Sequence, residues 1–328
     1  MWGSPGIVNT PSPKTLTKVV HAPNVDLQGA ARRTTRILCG EKAMRDALWG
    51  KEGEPASGIE RAALWLVLAF NAAAVIGFAV FGVNPQLLEH VPWAVPFYAR
   101  SFRLFSIGQI LVAGGALALL LTLRTGWRWI PAFLAIYLIS LSSELSGTAF
   151  GFPFGPYYYT PILGPQWFDL VPLVIPLSWF MMAVPSFLLA IRLDPEGGAV
   201  SRVALGALIL TAWDLALDPA MSYATVYWRW EVAGAYYGMP WVNLAGWLFT
   251  GILLMAALLL LRAESWVRKL PLRWVSLFYL ANVLLPLGMA AGAGLVWAVV
   301  LTVAGYAALG VGIWLRGRMP GREAVRAA

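Results

Sequence analysis

An all-α, polytopic transmembrane helix bundle of about eight spans, with both termini cytoplasmic, is the architecture to expect of this chain. Its composition, the recurrence of its apolar windows and the placement of its cations all point there. The 328 residues are 59% hydrophobic and 12% charged, with a mean hydropathy of +0.68. A soluble domain carries roughly 45–50% apolar and about 25% charged residues. Apolar windows recur at 61–81, 103–123, 129–148, 170–191, 203–220, 241–261, 274–292 and 295–315. Each is near the ~20 residues that cross about 30 Å of hydrocarbon. None shows the alternating segments, of roughly ten residues each, that build a membrane β-barrel.

With the N-terminus inside, all of the 24 Lys and Arg residues except Arg100, Arg103 and Arg229 fall on inner segments. The positive-inside rule therefore places both ends in the cytoplasm and the chain in the cell (cytoplasmic) membrane. The net charge of +8 reads as a topology signal, and no nucleic-acid partner is expected.

Residues 1–58 are polar and rich in Pro, Gly, Lys and Arg, and they lack the apolar stretch of a secretory signal. They read as a disordered basic cytoplasmic tail; a start at Met44 would leave the bundle unchanged. Residues 59–316 hold the spans, and 317–328 form a second short basic tail. The inner connections are short. Two outer ones are long and unusual: FGFPFGPYYYTPILGPQWFD at 150–169 and MSYATVYWRWEVAGAYYGMP at 221–240. Interfacial Trp and Tyr are ordinary at membrane boundaries. That does not explain why they crowd these two loops and are missing from the loop near 291–294.

Cys39 is the single cysteine, and the two histidines, His21 and His90, both lie outside the spans. One chain therefore offers no intramolecular disulfide and no iron–sulfur or cysteine-based zinc site. Histidine-rich di-iron desaturases and bis-His haem proteins are excluded as well. Neither a metal site nor a cofactor is expected.

Three carboxylates lie at membrane depth or near it: Glu144, Asp214 and Asp218. A charge at the centre of a span costs ~2.5–3.5 kcal/mol on insertion scales, so each must face the bundle interior, be neutral or lie near the interface. Asp214 and Asp218 in LTAWDLALDPAM are four residues apart, which puts them on one helix face. Asn243, Gly246, Trp247 and Thr250 share a face of the sixth span, and Tyr137, Ser140, Glu144 and Gly147 share one of the third. All three polar faces converge toward the outer end. For Asp218, followed by Pro219, helix capping is an equal competitor to function; for Asn243 a helix-terminal role is.

SELSGTAFGFPFGPYYYTPILG, VPLVIPLSWFMMAVPS, LTAWDLALDPAM and the YWRW…GAYYGMPWVNLAGW run together resemble the membrane-type carotenoid 1,2-hydratases of bacteria and archaea. The likeness extends over about residues 60–315, with Ala216 standing where a bulkier residue is expected. It implies addition of water to the terminal 1,2 double bond of an acyclic carotenoid end. That chemistry needs a proton at C2, a tertiary cation at C1 and water capture there, with no cofactor. Two carboxylates on one face can hold one proton between them, because burial and a like-charged neighbour both favour the protonated form. On this reading Asp214, Asp218 and Glu144 are catalytic. Trp213, Tyr157, Trp228, Trp230, Tyr237 and Trp247 flank the substrate with aromatic faces that stabilise a cation. Glu144 and Asn243 are candidates to hold the water. The expected partners are water, a carotenoid entering from the bilayer through an apolar groove, and other enzymes of the same pathway.

Two alternatives stay open. Asp214-x-x-x-Asp218 superficially matches a magnesium–diphosphate motif of an intramembrane prenyltransferase, although it is a single motif, on the outer side, with few Lys or Arg nearby. A lipid or carotenoid transporter with acidic proton relays is the non-enzymatic reading.

Overall fold

A computed structural model describes residues 55–317. The two predicted tails, 1–58 and 317–328, lie almost wholly outside the described residues. Eight α-helices follow in order: α1 (Gly58–Gly77), α2 (Val95–Thr125), α3 (Ile130–Phe150), α4 (Ile175–Leu193), α5 (Ala199–Asp218), α6 (Val242–Leu260), α7 (Leu272–Gly292) and α8 (Val296–Gly317). Seven continuous helical stretches among the described residues are long and apolar enough to cross a membrane. One of them, Pro92–Phe150, is 59 residues long and contains both α2 and α3, joined where Gly126 takes φ 63°. The chain is thus a mostly helical, multi-pass membrane protein.

The helix starts and stops are written locally. Ser57 and Glu60 form a reciprocal capping box at the head of α1. Glu60 also accepts from Arg124 at the foot of α2, at 2.7 Å, and its carbonyl accepts from the Trp274 indole at the head of α7. These bonds tie three helix termini together at one end of the bundle. α3 ends on Gly151, whose φ of 76° lies in the left-handed region that favours glycine. α4 is buried on nearly every side, so it is apolar all round, as a central helix must be. It packs on α3, α5, α2 and α7, and α5 packs most extensively on α6. α8 sits outermost, against α5 and α7.

The all-α expectation needs one correction. The two long loops fold into short antiparallel ribbons. β1 (Tyr157–Tyr159) pairs with β4 (Trp228–Trp230) in the register Tyr157↔Trp230, Tyr158↔Arg229 and Tyr159↔Trp228. β2 (Gln166–Trp167) pairs with β3 (Val171–Pro172), which delays the start of α4 from the expected 170 to Ile175. Strands of two or three residues are too short to carry a readable period-2 pattern.

At the end of α5 the helix widens into a π segment, Pro219–Ala224. Pro219 has no N–H to give to the carbonyl four residues back, and that carbonyl, Leu215 O, accepts instead from the Tyr236 hydroxyl at 2.6 Å. Asp218 is the last residue before the widening.

The cation distribution makes orientation testable. Reporter fusions after Arg128, Gly197 and Lys269 are expected to read cytoplasmic, and fusions near Tyr158 and Ala233 external. The reverse pattern would place the ribbon end of the bundle at the inner face.

Candidate active site

The β1–β4 ribbon lies over the ends of α3 and α5. Alternation along a strand sends residues i and i+2 to one face, so Tyr157, Tyr159, Trp228 and Trp230 project together while Tyr158 and Arg229 are exposed. The Tyr157 hydroxyl hydrogen-bonds Glu144 Oε2, and the Tyr159 hydroxyl donates to the same oxygen at 2.8 Å. The Trp179 indole, from α4, donates to Glu144 Oε1 at 2.8 Å. Burial, then the Glu144 charge, push the Tyr157 and Tyr159 hydroxyls well above the usual phenol value, so both keep their protons and remain donors.

On the other strand, the Trp228 indole donates to Asp218 Oδ2 and the Trp230 indole to Asp218 Oδ1, each at 3.1 Å. Ser222, one turn on, adds a bond to Oδ1 at 2.7 Å. Asn243, at the head of α6, places one Nδ2 between the two aspartates, 2.7 Å from Asp214 Oδ2 and 3.4 Å from Asp218 Oδ2. Among the described residues the donors to the Asp218 carboxylate are all side chains. All four groups are buried: Glu144 is 5%, Asp214 0%, Asp218 1% and Asn243 2% exposed.

These side chains surround a cavity of about 70 Å³. Glu144, Asp218, Asn243, Tyr157, Trp213, Trp228, Trp230 and Trp247 line it, and among the described residues no Lys or Arg does. Asp214 stands behind Asn243 and off the cavity wall; its Oδ1 is buried with no partner. Tyr237 is elsewhere: its hydroxyl accepts from the Trp297 amide. Asn243 bridges the two aspartates from the first turn of α6. The indoles form a continuous wall, with Trp179 stacked on Trp247 at 4.1 Å and Trp213 edge-on to Trp247 at 5.9 Å.

The GFPFG stretch has a packing explanation. The Phe154 ring enters the cavity wall between two helical glycines. A Cβ on Gly147 would lie 2.8 Å from Phe154 Cδ2, and one on Gly246 would lie 2.6 Å from Phe154 Cδ1 and 2.7 Å from the Pro153 carbonyl oxygen.

Sequence reasoning passed over Trp179, Tyr159, Phe154, Ser106, Gln109 and Tyr227, all of which line the cavity. Tyr159 is two residues from the candidate Tyr157 and Tyr227 is next to the candidate Trp228, while Trp179 is one apolar residue among many. Five residues, Ser106, Gln109, Met221, Tyr227 and Leu285, also line a second and larger space of about 510 Å³. This hall is walled mainly by the aromatic and aliphatic side chains of α1, α2 and the turns between them, and it reaches the surface at the exposed Trp93 and Phe97. At the waist between the two spaces, Ser106 Oγ and the Tyr227 hydroxyl are 2.7 Å apart. Burial pushes that hydroxyl up to about 12, so it stays neutral.

Fold and site together define a polytopic membrane protein with buried carboxyl side chains beside a mainly apolar cavity. Comparison with known sequences makes this particular: the chain belongs to the carotenoid biosynthesis protein family, whose model matches residues 105–309. It is 34% identical over 172 residues to bisanhydrobacterioruberin hydratase of Haloarcula japonica, an alignment covering 52% of this chain and 54% of the relative. The chain thus spans about half the length of the curated relative it matches. No solved structure matches.

Proposed function

We propose that the protein is a carotenoid hydratase, adding water across the terminal 1,2 double bond of an acyclic carotenoid end to give a tertiary 1-hydroxy product. The observation that carries this is one aromatic-walled cavity lined by both Asp218 and Glu144, with no cation among its described lining residues, beside an apolar hall that shares part of its wall. The matched relative is itself named a hydratase.

The polyene lies in the hall, and its end passes the Ser106–Tyr227 waist. The Asp214–Asp218 pair holds one proton, and Asp218, the member on the cavity wall, delivers it to C2. The Ser222 hydroxyl can turn to accept from a protonated Asp218, so either protonation state keeps a partner there. The π electrons form the new C2–H bond and leave C1 as a tertiary cation, which the Trp179–Trp247 wall stabilises. Water adds to C1, and the proton it sheds goes to Glu144, whose phenolic neighbours can turn from donating to accepting. Proton return to the aspartate pair resets the site.

The prenyltransferase alternative fits less well. Both Asp218 oxygens are taken by indole donors, and among the described residues no cation lines the cavity to meet a diphosphate. The test is purified protein with lycopene in H₂¹⁸O. Hydroxylated product carrying ¹⁸O, formed equally in strong chelator, is expected. Oxygen drawn from O₂, or activity lost to chelator and restored by magnesium, would overturn the reading.

A further inference from the structure

Hydration needs more than an acid, because a water must wait beside C1 in the right orientation. Several buried side-chain oxygens among the described residues have no hydrogen-bond partner: those of Asn71, Gln109, Asp214, Thr250, Glu264, Ser276 and Asn282. Of these residues only Gln109 lines the cavity that Glu144 and Asp218 share. A buried acceptor without a partner is costly, and in a folded protein it calls for a specific explanation, an ordered water being one.

The position suits that explanation. Gln109 sits on α2 just under one turn from Ser106, and both residues border the small cavity and the apolar hall. About 70 Å³ exceeds the roughly 10–15 Å³ that one water requires. A water also needs two to four polar partners. Here Gln109, Tyr227 and Glu144, each with a polar side-chain end, line the same space. The hall beyond the waist shares Gln109 and Tyr227 but has no carboxylate among its described lining residues, so a water can meet both Gln109 and Glu144 only on the small-cavity side.

Resting on the hydratase reading above, we infer that Gln109 holds the attacking water, its Oε1 accepting one O–H so that the oxygen lone pair faces C1. When that lone pair forms the C1–O bond, the other O–H bond breaks and its proton passes to Glu144. The amide takes no proton; it orients the water.

This role separates capture of the cation from its formation. If C2 is protonated and no water is in place, the cation reverts by losing a proton from C2 to the acid's conjugate base. In D₂O that reversal leaves deuterium at C2 of unhydrated lycopene. The experiment incubates lycopene with the purified full chain in D₂O and reads both hydrated product and recovered lycopene by mass spectrometry. Gln109→Leu and the closer-shaped Gln109→Met remove an amide with no partner at Oε1, so neither breaks a protein hydrogen bond there. Both are expected to lose hydration by roughly ten- to a hundredfold, the effect of one lost positioned hydrogen bond, while deuterium in recovered lycopene rises above wild type. Hydration at the wild-type rate overturns the inference. So does a parallel fall in hydration and exchange, which is what a purely structural role gives. Failure of the wild-type protein to form any hydrated product would instead bring down the function reading, so the two failures are distinct.

Discussion

Asp218→Asn is expected to lower hydration of lycopene by roughly 10²–10⁴-fold, the usual cost of removing a general acid, and to abolish deuterium exchange at C2 along with it. Of the aspartate pair only Asp218 reaches the cavity wall, so without it no proton arrives and no cation forms. The substitution has a second consequence. Both carboxylate oxygens face indole N–H groups, which only donate. An amide nitrogen in place of one oxygen sets donor against donor and destabilises the fold by about 1–3 kcal/mol. Thermal unfolding in detergent should show that loss, and size-exclusion chromatography should still give one folded species. Asp214→Asn should lower hydration and exchange together as well, because Asp214 helps hold the shared proton, yet its cost to the fold should be smaller, since its Oδ1 has no partner to lose. If Asp218→Asn keeps wild-type exchange, the acid lies elsewhere.

Glu144→Gln should be equally damaging to product formation and opposite in its isotope signature. The glutamine cannot accept the proton that the adding water must shed, so hydration falls by roughly 10²–10⁴-fold. The aspartate pair is untouched, and lycopene recovered from D₂O should still gain deuterium at C2. Loss of both signals on Glu144→Gln would make Glu144 part of the acid and overturn the division of labour between the two ends of the cavity. The measurement is the same mass-spectrometric comparison, made on protein shown to be folded.

Much of this could be read before any coordinates, and the reason is physical. A helix in lipid must satisfy its own backbone, so each span declares itself as an apolar run, and seven continuous helical stretches answer to eight such windows. A carboxylate in such a run is expensive, which is why Glu144, Asp214 and Asp218 stood out. What satisfies them was less legible. The β1–β4 pairing joins two loops far apart in the chain through three-residue strands, and no local pattern encodes that meeting. Tyr237 was grouped with its aromatic neighbours, yet the chain turns through φ 51° there and sends its hydroxyl to the head of α8. Spacing put Asp214 and Asp218 on one face, but it could not tell that Asn243 would stand between Asp214 and the cavity. Gln109 carried a signal of its own, a lone amide within the apolar window 103–123. It lies on the second span, away from the polar faces of the third, fifth and sixth spans, so no pattern of spacing ties it to the carboxylates.

The ribbon also bears on how the protein is made. Each acid draws its donors from the chain that follows it: Glu144 from Tyr157, Tyr159 and Trp179, Asp218 from Ser222, Trp228, Trp230 and Asn243. As the nascent chain leaves the ribosome, every acid therefore enters the membrane ahead of its partners. The wait is short, because the next hairpin brings them. Two half-sites can then mature one after the other, Glu144 once α4 is in place and the aspartates once α6 is. Only strand pairing remains to join them, so assembly of the whole cavity is a late event, and a chain truncated before β4 should insert normally yet have no cavity to work with.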